Sequence, residues 1–254
     1  MIKAIKKQLA KTRKIRGFND VLSFLFLVNE SIILHKDGGL SQHFYYQAPD
    51  LESSIEEEVF LNSQTWQQAL AFLGDGWMVE TNVITIPFYY ETKPREFDEI
   101  VSAIIDDEHI LQFQSGQYLK SQYYLSITWK PVDLVSKHAR KFILNTEKND
   151  TDLEKTIQQF ETKVSEFIGF LSRSVKIDLL KSSDLISFLH QCISGLEHKL
   201  VSPYPGAFLD TYLSSQDFIG GLSPEMAGQH IKMLAIDDVN KQNFQIQRVR
   251  FRRC

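Results

Sequence analysis

Three residues, Asp37-Gly38-Gly39, lie between an extended apolar run, Ser31 to His35, and an aromatic one, Leu40 to Gln47. Glycine enters positive φ without steric cost and aspartate caps a turn with its own side chain, so this tripeptide between strand-like runs predicts a hairpin. A hairpin obliges the two runs to pair antiparallel, which starts a sheet of that kind. Upstream, Val21 to Val28 is an apolar run stopped by Asn29-Glu30 and is expected as a helix leading into the first strand. Downstream, Pro49 ends the return strand because proline cannot donate to a ladder. Ser53-x-x-Glu56 then has capping-box spacing for a helix carrying Val59, Phe60, Trp66, Leu70 and Leu73.

Periodicity places the remaining elements. Gly76 to Tyr90, rich in Val, Ile, Thr and aromatics, predicts a long strand. Pro94 opens a helix from Glu96 to about Gln114, with Phe97, Ile100, Val101, Ile104 and Ile105 on one side. Tyr123 to Trp129 is a strand closed by Pro131, and the polar span Lys137 to Asp150 is loop with a short helix over Lys137 to Phe142. Thr151-x-x-Glu154 starts the most amphipathic helix, with Leu153, Ile157, Phe160, Val164, Phe167 and Leu171 at steps of three and four. Ser183 starts another that ends near Gly195; Pro203 to Gly206 is a turn, and His230 to Ile236 a last strand. A hairpin followed by strands alternating with helices predicts an α+β fold, a mainly antiparallel sheet with packed amphipathic helices. The expected organisation is a basic segment 1–16, a domain over 17–237 with two candidate lobes at 17–131 and 150–237, and an atypical basic tail 238–254.

Charge is unevenly distributed along the 254 residues. Residues 1–16 hold seven bases (Lys3, Lys6, Lys7, Lys11, Arg13, Lys14 and Arg16) and no acid, and 239–254 hold five (Lys241, Arg248, Arg250, Arg252 and Arg253) and no acid. With twelve of the 28 bases at the ends and all 32 acids between them, the body carries about −16. A body of that sign repels phosphate backbones, so nucleic acid is not expected as a partner. The basic start suits attraction to anionic lipid, at about 1 kcal/mol per basic residue; a solvated terminal helix is the plainer alternative. No apolar run approaches the roughly 20 residues of a membrane-spanning helix, and Asn29-Glu30 break the run that would serve a signal peptide. Cys192 and Cys254 have neither metal nor redox spacing, which fits a reducing compartment.

Several blocks in order resemble the N-terminal region of conjugative-transfer and type IV secretion ATPases of the TrbE and CagE kind. IILHKDGGL followed by FYYQAPDLESS is similar to the family's strand, KDG turn, aromatic strand and helix start. WQQALAFLGDGW, Trp66 to Trp77, resembles its helix ending in LGxGW, so that Gly74, Gly76 and Trp77 join Asp37, Gly38 and Gly39 as family-like turn residues. IIDDE, QFQSGQYLKSQYYLSITWKP and the closing segment Leu209 to Ile236, with its Gly220-Gly221 turn, follow in family order. The resemblance implies a domain that docks a motor onto inner-membrane subunits of the secretion channel, adjoins the family's C-terminal motor domain, and takes part in self-association. It implies a cytoplasmic location, peripheral at the inner membrane. In the intact family the motor uses ATP and Mg.

A P-loop needs G-x-x-x-x-G-K-[ST], and no glycine in this chain is followed by lysine. The chain is therefore expected to hold no nucleotide cofactor and not to hydrolyse ATP alone. H-E-x-x-H, C-x-x-C and G-x-S-x-G are also missing, so no catalytic or metal residues are assigned. His190 is expected to be a hydrogen-bonded structural residue. Glu56-Glu57-Glu58 and Asp106-Asp107-Glu108 would attract a cation or basic partner, with a solvated acidic helix face as the plainer reading. After Asp238 the composition turns basic where the family resemblance predicts a link onward to the motor, and a truncation or frameshift is expected there. Two alternative readings are a protein that binds nucleotide through an unrecognised site and a small regulatory or scaffold protein of the secretion apparatus.

Overall fold

The computed structural model describes residues 17–49, 53–88, 97–114, 118–130, 150–204, 206–220 and 223–231. The basic segment 1–16, the span 131–149 and the tail from 232 lie outside them, and with them the expected helix at 137–142, most of the last strand and Gly221. The described residues divide at Ser215 into two compact units.

The first unit is built on six antiparallel strands: β1 (Phe24–Leu27), β2 (Ile32–His35), β3 (Leu40–Gln47), β4 (Trp77–Pro87), β5 (Leu119–Trp129) and β6 (Lys176–Leu179). Their order is β1-β2-β3-β5-β4, and β6 also pairs with β3. On one edge, β3 pairs with β2 through Gln42 and with β6 from Phe44 onward, so two short strands share that edge. The helices are α1 (Phe18–Val21), α2 (Glu56–Leu73), α3 (Ile100–Gln114), α4 (Asp150–Leu171), α5 (Ser182–Ser194) and α6 (Leu209–Leu213). The α+β reading, with a mainly antiparallel sheet, holds.

Both faces of the sheet are covered, because alternate residues point to opposite sides. One face sends Ile32, Leu34, Leu40, Phe44, Leu125 and Ile127 against α2 and α4, where Phe160, Val164, Phe167 and Leu171 supply the stripe foreseen from their spacing. The other sends Leu27, Ile33 and Tyr124 against Leu185, Ile186, Phe188 and Leu189 of α5 and Leu209 and Leu213 of α6.

Four expectations need correction. The run Val21 to Val28 is not one helix: α1 is a single turn, and Phe24–Leu27 is a strand whose alternating burial shows the two-residue period. Asn29 stops that strand by accepting the backbone N–H groups of Ser31 and Ile32 at 2.9 and 2.8 Å, an aspartate-like turn made by an amide. The capping box expected at Ser53 does not form, and Thr151 lies inside its helix and not at the cap position. The N-cap of α2 is Ile55 with no side-chain cap, and α4 already includes Thr151; α2 relies on Glu56, Glu57 and Glu58 in its first turn, where carboxylates favour the helix dipole. The long helix after Pro94 begins at Ile100 and buries none of its residues.

The second unit holds a small three-stranded sheet, β7 (Phe218–Ile219), β8 (Glu225–Met226) and β9 (Gln229–His230). Ala227 and Gly228, both at positive φ (52° and 76°), make the two-residue turn between β8 and β9. A side chain at Gly220 would meet only the ring of Phe218, at 4.0 Å, so this position does not require glycine for space.

Candidate docking surface

Two of the family-like turns, Asp37 to Gly39 and Gly74 to Trp77, meet at one end of the first sheet. Gly38 takes φ 90° in the β2–β3 turn, and Asp37 Oδ1 accepts the Gly39 N–H at 3.1 Å. Asp37 Oδ2 meets Lys130 Nζ at 2.8 Å, just past the end of β5. The same Lys130 donates its backbone N–H to the Gly76 carbonyl at 2.8 Å. Gly76 is at φ 81°, and a Cβ there would stand 2.9 Å from the Lys130 carbonyl oxygen, so backbone proximity as well as φ calls for glycine. Gly74, at φ 76°, ends α2 in open space. Trp77 then stacks on Trp129 at 5.4 Å and on Phe160 of α4 at 5.6 Å. Asp37, Gly39, Gly76 and Trp77 thus tie the hairpin, α2 and α4 to one residue pair, Trp129-Lys130. Asp37 titrates below its ordinary value: partial burial pushes it up, but the Lys130 ammonium and the Gly39 N–H outweigh that.

Inside the sheet a chain of polar side chains crosses the strands. Ser23 Oγ lies 3.1 Å from His35 Nδ1, His35 Nε2 2.8 Å from Ser41 Oγ, Ser41 Oγ 3.1 Å from His43 Nε2, and His43 Nδ1 2.8 Å from Ser126 Oγ. Ser41 is fully buried, and His35, His43 and Ser126 nearly so. Phe188 of α5 lies over His43 at 5.6 Å. Desolvation by burial lowers both histidines, His43 to about 3. A neutral imidazole carries one N–H and one bare nitrogen, so a single direction of donation satisfies every member. Only Ser23, at one end, is exposed; Ser41, buried between the two rings, is a member of a structural network. Two histidines and three serines were not picked out from the sequence, since only the strand register aligns them.

His190 on α5 is buried, as expected of a structural residue, with Ser194 Oγ 3.2 Å from Nε2 and His198 stacked at 5.5 Å. Its Nδ1 has no hydrogen-bond partner among the described residues, and desolvation lowers its pKa. Among the described residues no group of three His, Cys, Asp or Glu is placed to hold a metal ion.

A cleft of about 570 Å³ opens beside α4 where β2 gives way to β6, lined among others by Glu30, Ser31, Gln42, Glu161 and Lys181. Two carboxylates, Glu30 and Glu161, against the one ammonium of Lys181 make it a poor host for phosphates.

The surface is more informative than the interior. β4 and β5 pair over eleven residues each, whereas β3 follows β5 only as far as Tyr46 opposite Tyr123. The distal part of the β4–β5 pair therefore projects past the sheet, and α3 is carried at its tip. An aromatic joint holds it there: Phe113 lies 4.7 Å from Tyr118 and 6.2 Å from Phe88, and Gln112 Nε2 donates to Tyr118 OH at 2.7 Å. Beyond the joint, Ile100 (80% exposed), Val101, Ile104, Ile105 and Leu111 face solvent. A second exposed apolar group, Val59, Phe60 and Leu61, sits near the start of α2, whose core contacts come from Trp66, Ala69, Phe72 and Leu73 further along. No helix among the described residues is long and apolar enough to cross a membrane.

Residues 31–135, which take in β2 to β5 with α2 and α3, match the family described as type IV secretion system ATPase VirB4/TrbE, N-terminal domain. The chain is 25% identical over 247 residues to a conjugal transfer protein TrbE of Rhizobium radiobacter, covering 90% of this chain and 30% of that protein. It is 29% identical over 131 residues to the first portion of a probable conjugal transfer protein TrbE of Sinorhizobium fredii (strain NBRC 101917 / NGR234), covering 50% of this chain and 88% of that one.

Proposed function

From the premise that this chain carries an N-terminal domain of the VirB4/TrbE type, we propose that it works by recognition, docking a conjugal-transfer ATPase onto inner-membrane subunits of its secretion channel. The observation that carries the reading is the pairing of a closed, chemically idle interior with exposed apolar surface on α2 and α3. The buried histidine–serine chain spends its hydrogen-bonding groups on its own members, while the apolar side chains of α2 and α3 are left available for binding. Docking of this kind would hold the protein at the cytoplasmic side of the inner membrane, with residues 1–16 adding attraction to anionic lipid. ATP and Mg would be the concern of the family's motor domain, since this sequence contains no Gly-Lys step for a P-loop.

Co-purification of the full chain with the inner-membrane channel subunits tests the reading. Capture that falls when Phe60→Asp and Leu61→Asp are introduced supports it, and failure of the folded wild type to capture any subunit overturns it. Calorimetric titration with ATP separates it from a nucleotide-binding protein: heat of binding would favour that alternative.

A further inference from the structure

The cleft beside α4 contains a buried acceptor that nothing in the fold uses. Gln42 lines it and is only 7% exposed. Its Nε2 donates to Ser31 Oγ at 3.1 Å. The Ser31 hydroxyl has a single hydrogen, which goes to Asn29 Oδ1 at 3.3 Å, so toward Gln42 it can only accept. The network therefore fixes the amide with its nitrogen on Ser31, and Gln42 Oε1 is left without a partner among the described residues. There, the side-chain atoms both sealed and unbonded are Asn62 Oδ1 and His190 Nδ1, so Gln42 Oε1 opens on the cleft it lines.

Two carboxylates stand at the same cleft. Asn29 spends its Oδ1 on the Ser31 and Ile32 N–H groups and gives its Nδ2 to Glu161 Oε1 at 3.2 Å, which steadies that carboxylate and leaves its second oxygen unspent. Glu30 is held through its backbone, whose carbonyl accepts the Ser182 N–H at 2.7 Å. Neither carboxylate is in an ion pair among the described residues. Against them stands one exposed ammonium, Lys181, so the cleft asks for a positive ligand that donates hydrogen bonds. Phe44, Val164 and Ile168 add apolar wall for a methylene stem, and about 570 Å³ is an ordinary size for a ligand site. We propose that the cleft receives the guanidinium of an arginine side chain carried by a partner polypeptide.

Geometry selects among cations. The acceptors come from three separate places, the β1–β2 turn, β3 and α4, around a wide opening. A guanidinium spreads five N–H donors over a planar fork, whereas an ammonium is a point charge. A free arginine would bring its α-carboxylate to an opening already edged by two carboxylates; within a polypeptide the main chain is neutral there. None of the lining residues belongs to α2 or α3, so this contact stands or falls independently of capture by channel subunits.

Titration of isotope-labelled full chain with Nα-acetyl-arginine N-methylamide, followed through the side-chain amide resonances of Asn29 and Gln42, tests the proposal. Saturable shifts at millimolar ligand are expected. The citrulline counterpart, matched in shape but uncharged, should give none, and the lysine counterpart should bind at least tenfold more weakly. Glu30→Gln with Glu161→Gln, both on exposed side chains, should weaken binding at least tenfold while the rest of the spectrum stays in place. Gln42→Met should weaken it severalfold, and Lys181→Ala, which removes the like charge, should strengthen it. A wild type with no saturable shift at any attainable concentration overturns the proposal, as does binding indifferent to the Glu30 and Glu161 pair. Equal binding of the lysine or citrulline counterpart overturns the choice of guanidinium. Tighter binding of free arginine overturns the partner polypeptide, and weaker binding in Lys181→Ala overturns a cationic ligand.

Discussion

Asp37 and Lys130 are joined by a 2.8 Å ion pair between residues 93 positions apart, and the Lys130 backbone closes on Gly76. One residue thus secures two of the turns that resemble the secretion-ATPase family, those at Asp37 and Gly76. The half-exposed ion pair contributes little, as surface pairs do; the backbone approach matters more. Gly76→Ala forces a side chain to positive φ and against the Lys130 carbonyl, and is expected to destabilise by about 2–3 kcal/mol. Thermal melts should show Gly76→Ala well below Asp37→Asn, whose cost stays under about 1 kcal/mol.

The buried histidine chain predicts a direction for pH dependence. His43 is lowered to about 3 in the fold, from an unfolded value of 6.5. The unfolded state therefore binds the proton first, and stability is complete above pH 6.5 and lost progressively as pH falls toward 3. The steepest loss from this one residue is about 1.4 kcal/mol per pH unit. Denaturant titrations at pH 7, 6, 5 and 4 should show it, and His43→Gln, although less stable at neutral pH, should flatten that slope.

Ser41 bridges the two rings. Ser41→Ala leaves a nitrogen of each histidine without its partner inside the sheet, and a buried orphan costs about 1–3 kcal/mol. A loss of about 2–4 kcal/mol by chemical denaturation is expected, far above that of an exposed serine such as Ser172.

The core and the arm formed by α3 should respond in opposite ways to truncation. Phe160 is fully buried against Trp77 and Trp129, and Phe160→Ala should cost about 3–5 kcal/mol. Ile104→Ser on the arm removes an exposed apolar side chain and should stay within about 0.5 kcal/mol. A large loss from Ile104→Ser in melts would mean that the arm packs on the body.

Where local chemistry decides structure, the sequence was readable: the Asp37-Gly38-Gly39 turn, the long strands and the stripe from Phe160 to Leu171 stand where spacing put them. β6 escaped notice because Lys-Ile-Asp-Leu carries little pattern of its own, and its strand identity comes from the free edge of β3. The break at Leu22-Ser23 was hidden for a similar reason, as an unbroken apolar run does not say whether its period is 3.6 or 2. Apolar spacing also revealed the stripe on α3 but not its exposure. Periodicity reports that a face is apolar; only the neighbouring elements determine whether anything covers it.

The claim that this domain acts by surface recognition is tested most directly by capture of the inner-membrane channel subunits on immobilised full chain, comparing wild type with Phe60→Asp and Leu61→Asp. Retention by the wild type and at least tenfold less by the folded variant is the predicted result. Equal retention by both, or none by the wild type, would contradict it.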